Sequence, residues 1–204
     1  MTKKREERLH ILTQTDLPLW NEGICFAGMD EAGRGPLAGN VVAACVVMPA
    51  SPLLPWVDDS KKLSPGRREQ VFDEIMKTAL FVGVGQASPE EIDEINILNA
   101  TKNAMRRAAQ GCPAELYLLD ALSNLGLPGK ERGIIHGDAL CYSIAAASII
   151  AKVTRDRQLL ELEEKYPGYG FAQHKGYGTA QHIAALKEMG PCPAHRRSFI
   201  GKFV

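Results

Sequence analysis

An α/β fold with a mixed five-stranded sheet flanked by helices is what this sequence predicts, and three observations carry the prediction. Short apolar runs rich in β-branched residues alternate with longer segments that carry helix-capping signals. The first three runs are joined by two short connections, which suits an antiparallel meander, whereas the later ones return through helices and add in parallel. With 204 residues, 45% hydrophobic and 24% charged, the chain can bury one substantial core, so residues 1–204 are expected to form a single domain.

The elements follow in order. The first ~20 residues read as a short basic helix, an N-terminal extension too small to be an independent module. Residues 24–29 form the first strand, GRGPLAG at 33–39 a turn, and residues 41–48 the second strand. Ser64 caps a helix with Pro65 in its first turn, and residues 80–86 make the third strand. Ser88 and Glu91 form a capping box that starts a helical stretch running, with a break, to Gly111. ELYLL at 115–119 is the fourth strand and residues 133–136 the fifth. A long helix over 140–165 stops before Pro167, and a last helix over 179–189 ends at Gly190. Residues 167–204 thus form a helical C-terminal portion.

Composition excludes several classes. The longest apolar stretch, residues 143–151, is far short of the ~20 a membrane-spanning helix needs. No apolar segment follows the charged N-terminus, so a cytoplasmic location without membrane association is expected. Five cysteines with no C-x-x-C pair argue against a disulfide framework and a zinc site. Lys plus Arg and Asp plus Glu both total 24, so net charge gives no pull toward nucleic acid, although four basic doublets (Lys61-Lys62, Arg67-Arg68, Arg106-Arg107, Arg196-Arg197) offer a stripe if the fold gathers them.

Four carboxylates carry the chemistry. Asp30 and Glu31 follow the first strand, Asp120 ends the fourth, and Asp138 lies between the fifth strand and the long helix. Singly, each has a plain structural reading: a turn, a strand end, a helix cap. Together they place hard oxygen ligands at the ends of neighbouring elements of one sheet, which suits Mg²⁺ or Mn²⁺ and the two-ion hydrolysis of a phosphodiester. Asp156, roughly 27 Å further along the long helix at ~1.5 Å per residue, is assigned to pairing with an Arg or Lys. His174, His182 and His195 lack ligand spacing and are expected at the surface or in hydrogen bonds.

The ordered blocks GMDEAGRGPLAG, DSKKLS, EIDEINILNATKNAM, GDALCYSIAAASIIAKVTRDR, YGFAQHKGYGT and HRRSF resemble bacterial ribonuclease HII across residues 28–199. The resemblance implies a ribonuclease H-like fold and a site of Asp30, Glu31, Asp120 and Asp138 holding Mn²⁺ or Mg²⁺. It implies that Gly33-Arg34-Gly35 reads the ribose 2′-hydroxyl through backbone groups, that Tyr177 packs on the adjoining sugar, and that Lys61 lies near the phosphates. The implied substrate is an RNA–DNA hybrid or duplex DNA with embedded ribonucleotides, cut on their 5′ side to leave 3′-hydroxyl and 5′-phosphate ends, by a monomer. Two positions depart from the family pattern: His136 replaces the usual Lys before Gly137-Asp138, predicting weaker phosphate attraction above about pH 7, and Ala121 stands where Gly is usual, where a strained backbone would suffer from a Cβ. Two other classes compete, a binder that has lost catalysis and a phosphoesterase for small molecules. Intact carboxylates weigh against the first, and only the neutral charge favours the second.

Overall fold

Strand β2 (Val41–Val47) is buried at all seven positions, and a strand apolar on both faces needs a layer on each. In the computed structural model, which describes residues 2–204, those layers are helices. The chain runs α1 (Lys3–Thr13), α2 (Asp16–Asn21), β1 (Phe26–Ala32), β2, a 3-10 turn at Ser60–Lys62, α3 (Pro65–Thr78), β3 (Phe81–Ala87) and α4 (Pro89–Ala108). It continues through β4 (Leu116–Asp120), β5 (Lys130–Ile134), α5 (Gly137–Leu140), α6 (Tyr142–Lys165), α7 (Phe171–His174), α8 (Ala180–Met189) and α9 (Arg197–Ile200). Ala44 and Val46 of β2 pack with Val71 and Ile75 of α3 and Ile149 and Ile150 of α6. Ala43, Cys45 and Val47, one residue out of phase, pack on the other face with Ile92 and Met105 of α4.

The strand order is β3-β2-β1-β4-β5. The meander β1–β2–β3 is antiparallel as expected, but only β1 and β2 are joined by a short connection: β2 reaches β3 through residues 48–80, which carry the 3-10 turn and α3, while β4 adds in parallel beside β1 and β5 beside β4. Gly28 permits the closest packing: a Cβ there would lie 2.1 Å from the backbone of Ser143, so α6 sits directly on the central strand. The predicted capping residues perform. Ser64 accepts from Arg67 N, and Ser88 accepts from Glu91 N. The break in α4 falls at Asn96 (φ 67°), whose side chain accepts from Leu98 N and Asn99 N and so caps the second segment.

Several expectations need correction. The N-terminal extension is two helices, not one, and it is built into the core. Asp16 is fully buried and accepts from Tyr142 N and Ser143 N, both at 3.0 Å, capping α6 from another element. Strand β1 does not end before Asp30-Glu31 but runs through both, because Ala44 and Ala43 of β2 continue the ladder opposite them. The fifth strand lies at Lys130–Ile134 rather than 133–136; as an edge strand it needs no apolar alternation, and His136 has already turned into left-handed backbone. Asp138 belongs to the single turn α5, separated from α6 by extended Cys141, so it does not share a helix with Asp156. Asp156 pairs as assigned, with Lys152 at 2.7 Å and Arg68 at 3.3 Å.

Candidate active site

Register brings the carboxylates together. In the parallel pair β1–β4, Met29 stands opposite Leu119, so the next residues, Asp30 and Asp120, emerge side by side at the same sheet edge. Asp120 in turn stands opposite Ile134 of β5, after which His136 (φ 58°) reverses the chain and Gly137 N donates to Asp120 Oδ1 at 2.7 Å. That bond seats α5 over the strand end. Asp30, Asp120 and Asp138 thereby offer carboxylate oxygens that all lie within 4.8 Å of one another.

Glu31, the fourth carboxylate of the expected set, stands outside that trio. Its Oε1 meets Arg34 Nη1 at 3.2 Å, while its Oε2 is buried with no hydrogen-bond partner among the described residues. A buried oxygen without a donor costs about 1–3 kcal/mol unless something else satisfies it. Lys61 enters from the 3-10 turn, where Asp59 caps its backbone and Ser148 holds Ser60 N, and its Nζ reaches Asp138 Oδ2 at 3.0 Å.

Electrostatics mark the cluster as starved of positive charge. Burial, then the charges of Glu31 and Asp120, push the Asp30 carboxyl well above the usual carboxylate range. Burial likewise raises Asp120, and raises Glu31 against the pull of Arg34. Burial alone would lower the Lys61 ammonium, but its bond to Asp138 prevails and holds it up. Crowded carboxylates that titrate high, one oxygen orphaned and no His or Cys among them fit a hard divalent cation.

Beside the carboxylates lies a cavity of about 270 Å³ lined by Gly33, Arg34, Gly35, Lys61 and Tyr177 together with Asp30 and Glu31. Every expected substrate residue thus faces one space. The Tyr177 ring lies against Gly35, whose Cβ, if present, would be 3.9 Å from it. Gly33 is obligatory twice over: its φ is +96° and a Cβ would strike the Arg155 side chain.

Two buried arginines hold these loops, Arg155, which sequence reasoning left unassigned, and Arg196, which it offered only to a basic stripe. Arg196, fully buried, donates to the carbonyls of Gly33 (2.6 Å), Arg34 (3.0 Å), Pro36 (2.8 Å) and Gly39 (2.7 Å). Arg155 donates to Ala38, Asn40 and Lys175, tying the glycine loop to the segment before Tyr177. Burial pulls both guanidinium pKa values down, to about 9 and about 10, leaving them cationic at neutral pH. Both lie in recognisable sequence blocks, but arginine defaults to the surface and nothing in the spacing marks it as buried. The basic doublets consequently form no offered stripe: Arg196 is internal, Arg68 pairs with Asp156, and Arg106 and Arg107 bind Leu125 O and Glu91. The three histidines are not at the surface either. His174, His182 and His195 are buried together, hydrogen-bonded as the alternative expectation had it.

Residues 27–202 match the family model described as ribonuclease HII. The chain belongs to the ribonuclease HII family. It is 52% identical over 198 residues to a ribonuclease HII of Geotalea uraniireducens, covering 96% of this chain and 92% of that one. Among solved structures it resembles ribonuclease H2 from Pyrococcus horikoshii (31% identity, TM-score 0.71, 86% of this chain and 93% of that chain). It also resembles the ribonuclease HII in a complex with PCNA from Archaeoglobus fulgidus (30% identity, TM-score 0.73, 85% and 94%). Membership of the ribonuclease HII family makes the chain a nuclease, a hydrolase whose family depends on divalent metal and acts on RNA–DNA hybrids. Among the described residues no helix is long and apolar enough to cross a membrane.

Proposed function

We propose that this ribonuclease HII family member cuts the RNA strand of RNA–DNA hybrids and incises duplex DNA 5′ of embedded ribonucleotides, leaving 3′-hydroxyl and 5′-phosphate ends. The observation that carries the reading is the juxtaposition of the carboxylate trio with a cavity lined by Gly33-Arg34-Gly35 and Tyr177. Asp30, Asp120 and Asp138 hold Mn²⁺ or Mg²⁺, with Glu31 completing the set through its orphaned oxygen. A bound divalent cation supplies a polarised water and neutralises charge on the leaving oxygen. The chain's own residues do the selecting. Backbone groups of residues 33–35 approach the ribose closely enough to bond its 2′-hydroxyl, and the Tyr177 ring packs on the next, deoxy, sugar. Lys61, exposed at its tip and anchored on Asp138, meets the phosphate. The cellular role consistent with this is removal of misincorporated ribonucleotides by a cytoplasmic monomer.

The experiment is incision of a labelled DNA duplex carrying one ribonucleotide, with an all-DNA control, by the wild type and Asp120→Asn. A metal-dependent cut 5′ of the ribonucleotide, reduced more than about 100-fold in the variant, is expected, since even outer-shell changes cost roughly 10- to 100-fold. Cleavage of the all-DNA duplex, or no cut with duplex binding intact, would sink the reading.

A further inference from the structure

The C-terminal portion contains a line of hydrogen bonds with one defined direction. Cys192 N donates to His195 Nδ1 at 3.0 Å, so that nitrogen is an acceptor and the proton of the neutral ring sits on Nε2. His195 Nε2 lies 3.0 Å from His182 Nε2. At the other end, His182 Nδ1 lies 2.9 Å from the carbonyl of Tyr177, which only accepts, so His182 carries its proton on Nδ1 and offers a bare Nε2. Both ends therefore demand the same pattern: backbone N–H to His195, His195 to His182, His182 to Tyr177. Cys192 Sγ (3.2 Å) and Cys192 O (3.3 Å) also approach His195 Nδ1.

Both rings are buried, at 0% and 2% exposure, and His174 stacks on His182 at 4.3 Å with its own tautomer set by Gly176 N and Tyr169 O. Burial lowers the pKa of both rings, that of His195 to about 4, so the arrangement stays uncharged at neutral pH. The Tyr177 carbonyl receives Thr179 N as well, at 2.8 Å, so both its lone pairs are occupied. A carbonyl held by two donors fixes the peptide from which the half-exposed Tyr177 ring projects into the cavity.

The geometry points to His182 and His195 as positioning residues for Tyr177, setting through its carbonyl how the ring meets the nucleotide beside the ribonucleotide. This rests on the reading of Tyr177 proposed above. Its signature is selectivity: a misplaced ring harms incision at a single-ribonucleotide junction more than cleavage of a uniform RNA–DNA hybrid.

The test uses the full chain with its divalent metal and compares kcat/KM on those two substrates. Tyr177→Ala is expected to lower the junction-to-hybrid ratio, and His182→Ala and His195→Ala to lower it by roughly three- to tenfold. The double variant Tyr177→Ala/His182→Ala should match Tyr177→Ala alone, and His182→Asn, which keeps an N–H near the Nδ1 position, should retain most of the ratio. Nitrogen-15 NMR of the wild type should find the proton on Nε2 of His195 and on Nδ1 of His182, a readout that survives if an alanine variant fails to fold. The opposite tautomers, equal losses on both substrates, or losses that multiply in the double variant overturn the proposal. If Tyr177→Ala keeps the wild-type ratio, the Tyr177 reading falls and takes the proposal with it; an unchanged ratio in His182→Ala alone overturns only the positioning role.

Discussion

Asp30 shows most directly how function is set against stability in single residues. Its carboxyl is 6% exposed, and burial, then the charges of Glu31, Asp120 and Asp138, push its pKa up, so its ionised form is disfavoured in the folded chain; under the proposed function a bound cation would offset this. Asp30→Asn removes that charge while its remaining oxygen can still accept from Glu31 N. The metal-free variant should be more stable than wild type by on the order of 1 kcal/mol, read as a shifted urea midpoint at pH 7, while incision is lost. Ala121 is the opposite case, strain without an evident return. Its φ of 50° is left-handed, a conformation in which a Cβ is costly. An L-residue there pays roughly 1–2 kcal/mol, and glycine pays about 0.5–1 in chain entropy, so Ala121→Gly should gain about 0.5–1 kcal/mol in the same measurement. A loss of stability would mean the Cβ is packed usefully.

Among the elements, the strands, caps and helix stops were legible because local chemistry fixes them: Ser64, Ser88, Thr179 and Gly190 sit at the boundaries their residue types predict. What stayed hidden was whatever depends on distant partners. The edge strand β5 carries no apolar signature, and the left-handed residue at 136 that splits α5 from the strand is neither Gly nor Asn. The trio was legible as a set of strand-end carboxylates, but Glu31's separation from it depends on the Arg34 contact, the roles of Arg155 and Arg196 depend on loops at least 20 residues away in sequence, and those of the imidazoles on side-chain bonds that no residue spacing marks. Asp16 is the clearest instance. In sequence it is one acid in a charged extension; in space it caps α6 across 126 residues. Asp16→Ala should cost about 1–2 kcal/mol by denaturant unfolding, with Asp16→Asn recovering part of it. If the alanine variant unfolds at the wild-type midpoint, the cap contributes nothing net.

For the whole molecule, the buried imidazoles tie stability to acidity. His195 titrates near 4 in the folded protein against 6.5 when free, because burial and then the neighbouring His182 disfavour its charge. The unfolded chain therefore binds a proton as pH falls through 6.5 and the folded one does not until about 4. Stability from this residue is complete above 6.5 and drains away across that window, by up to about 3 kcal/mol at ~1.4 per pH unit. Urea titrations at pH 7 and pH 5 measure it, and His195→Gln should flatten the difference. An equally steep loss in that variant would assign the acid sensitivity elsewhere.

The sheet order also has a consequence for a chain still being made. The meander β1–β2–β3 uses residues 26–87 and can close early, yet Asp30 gains Asp120 only through β4, and Asp138 follows later still. The glycine loop then waits for Arg196, which is made after every strand of the sheet. An interrupted translation product thus carries Asp30 and Glu31 without the trio, or the trio with an unclamped glycine loop. Order of synthesis therefore separates the gathering of the carboxylates from the fixing of the glycine loop, and a late truncation removes only the second.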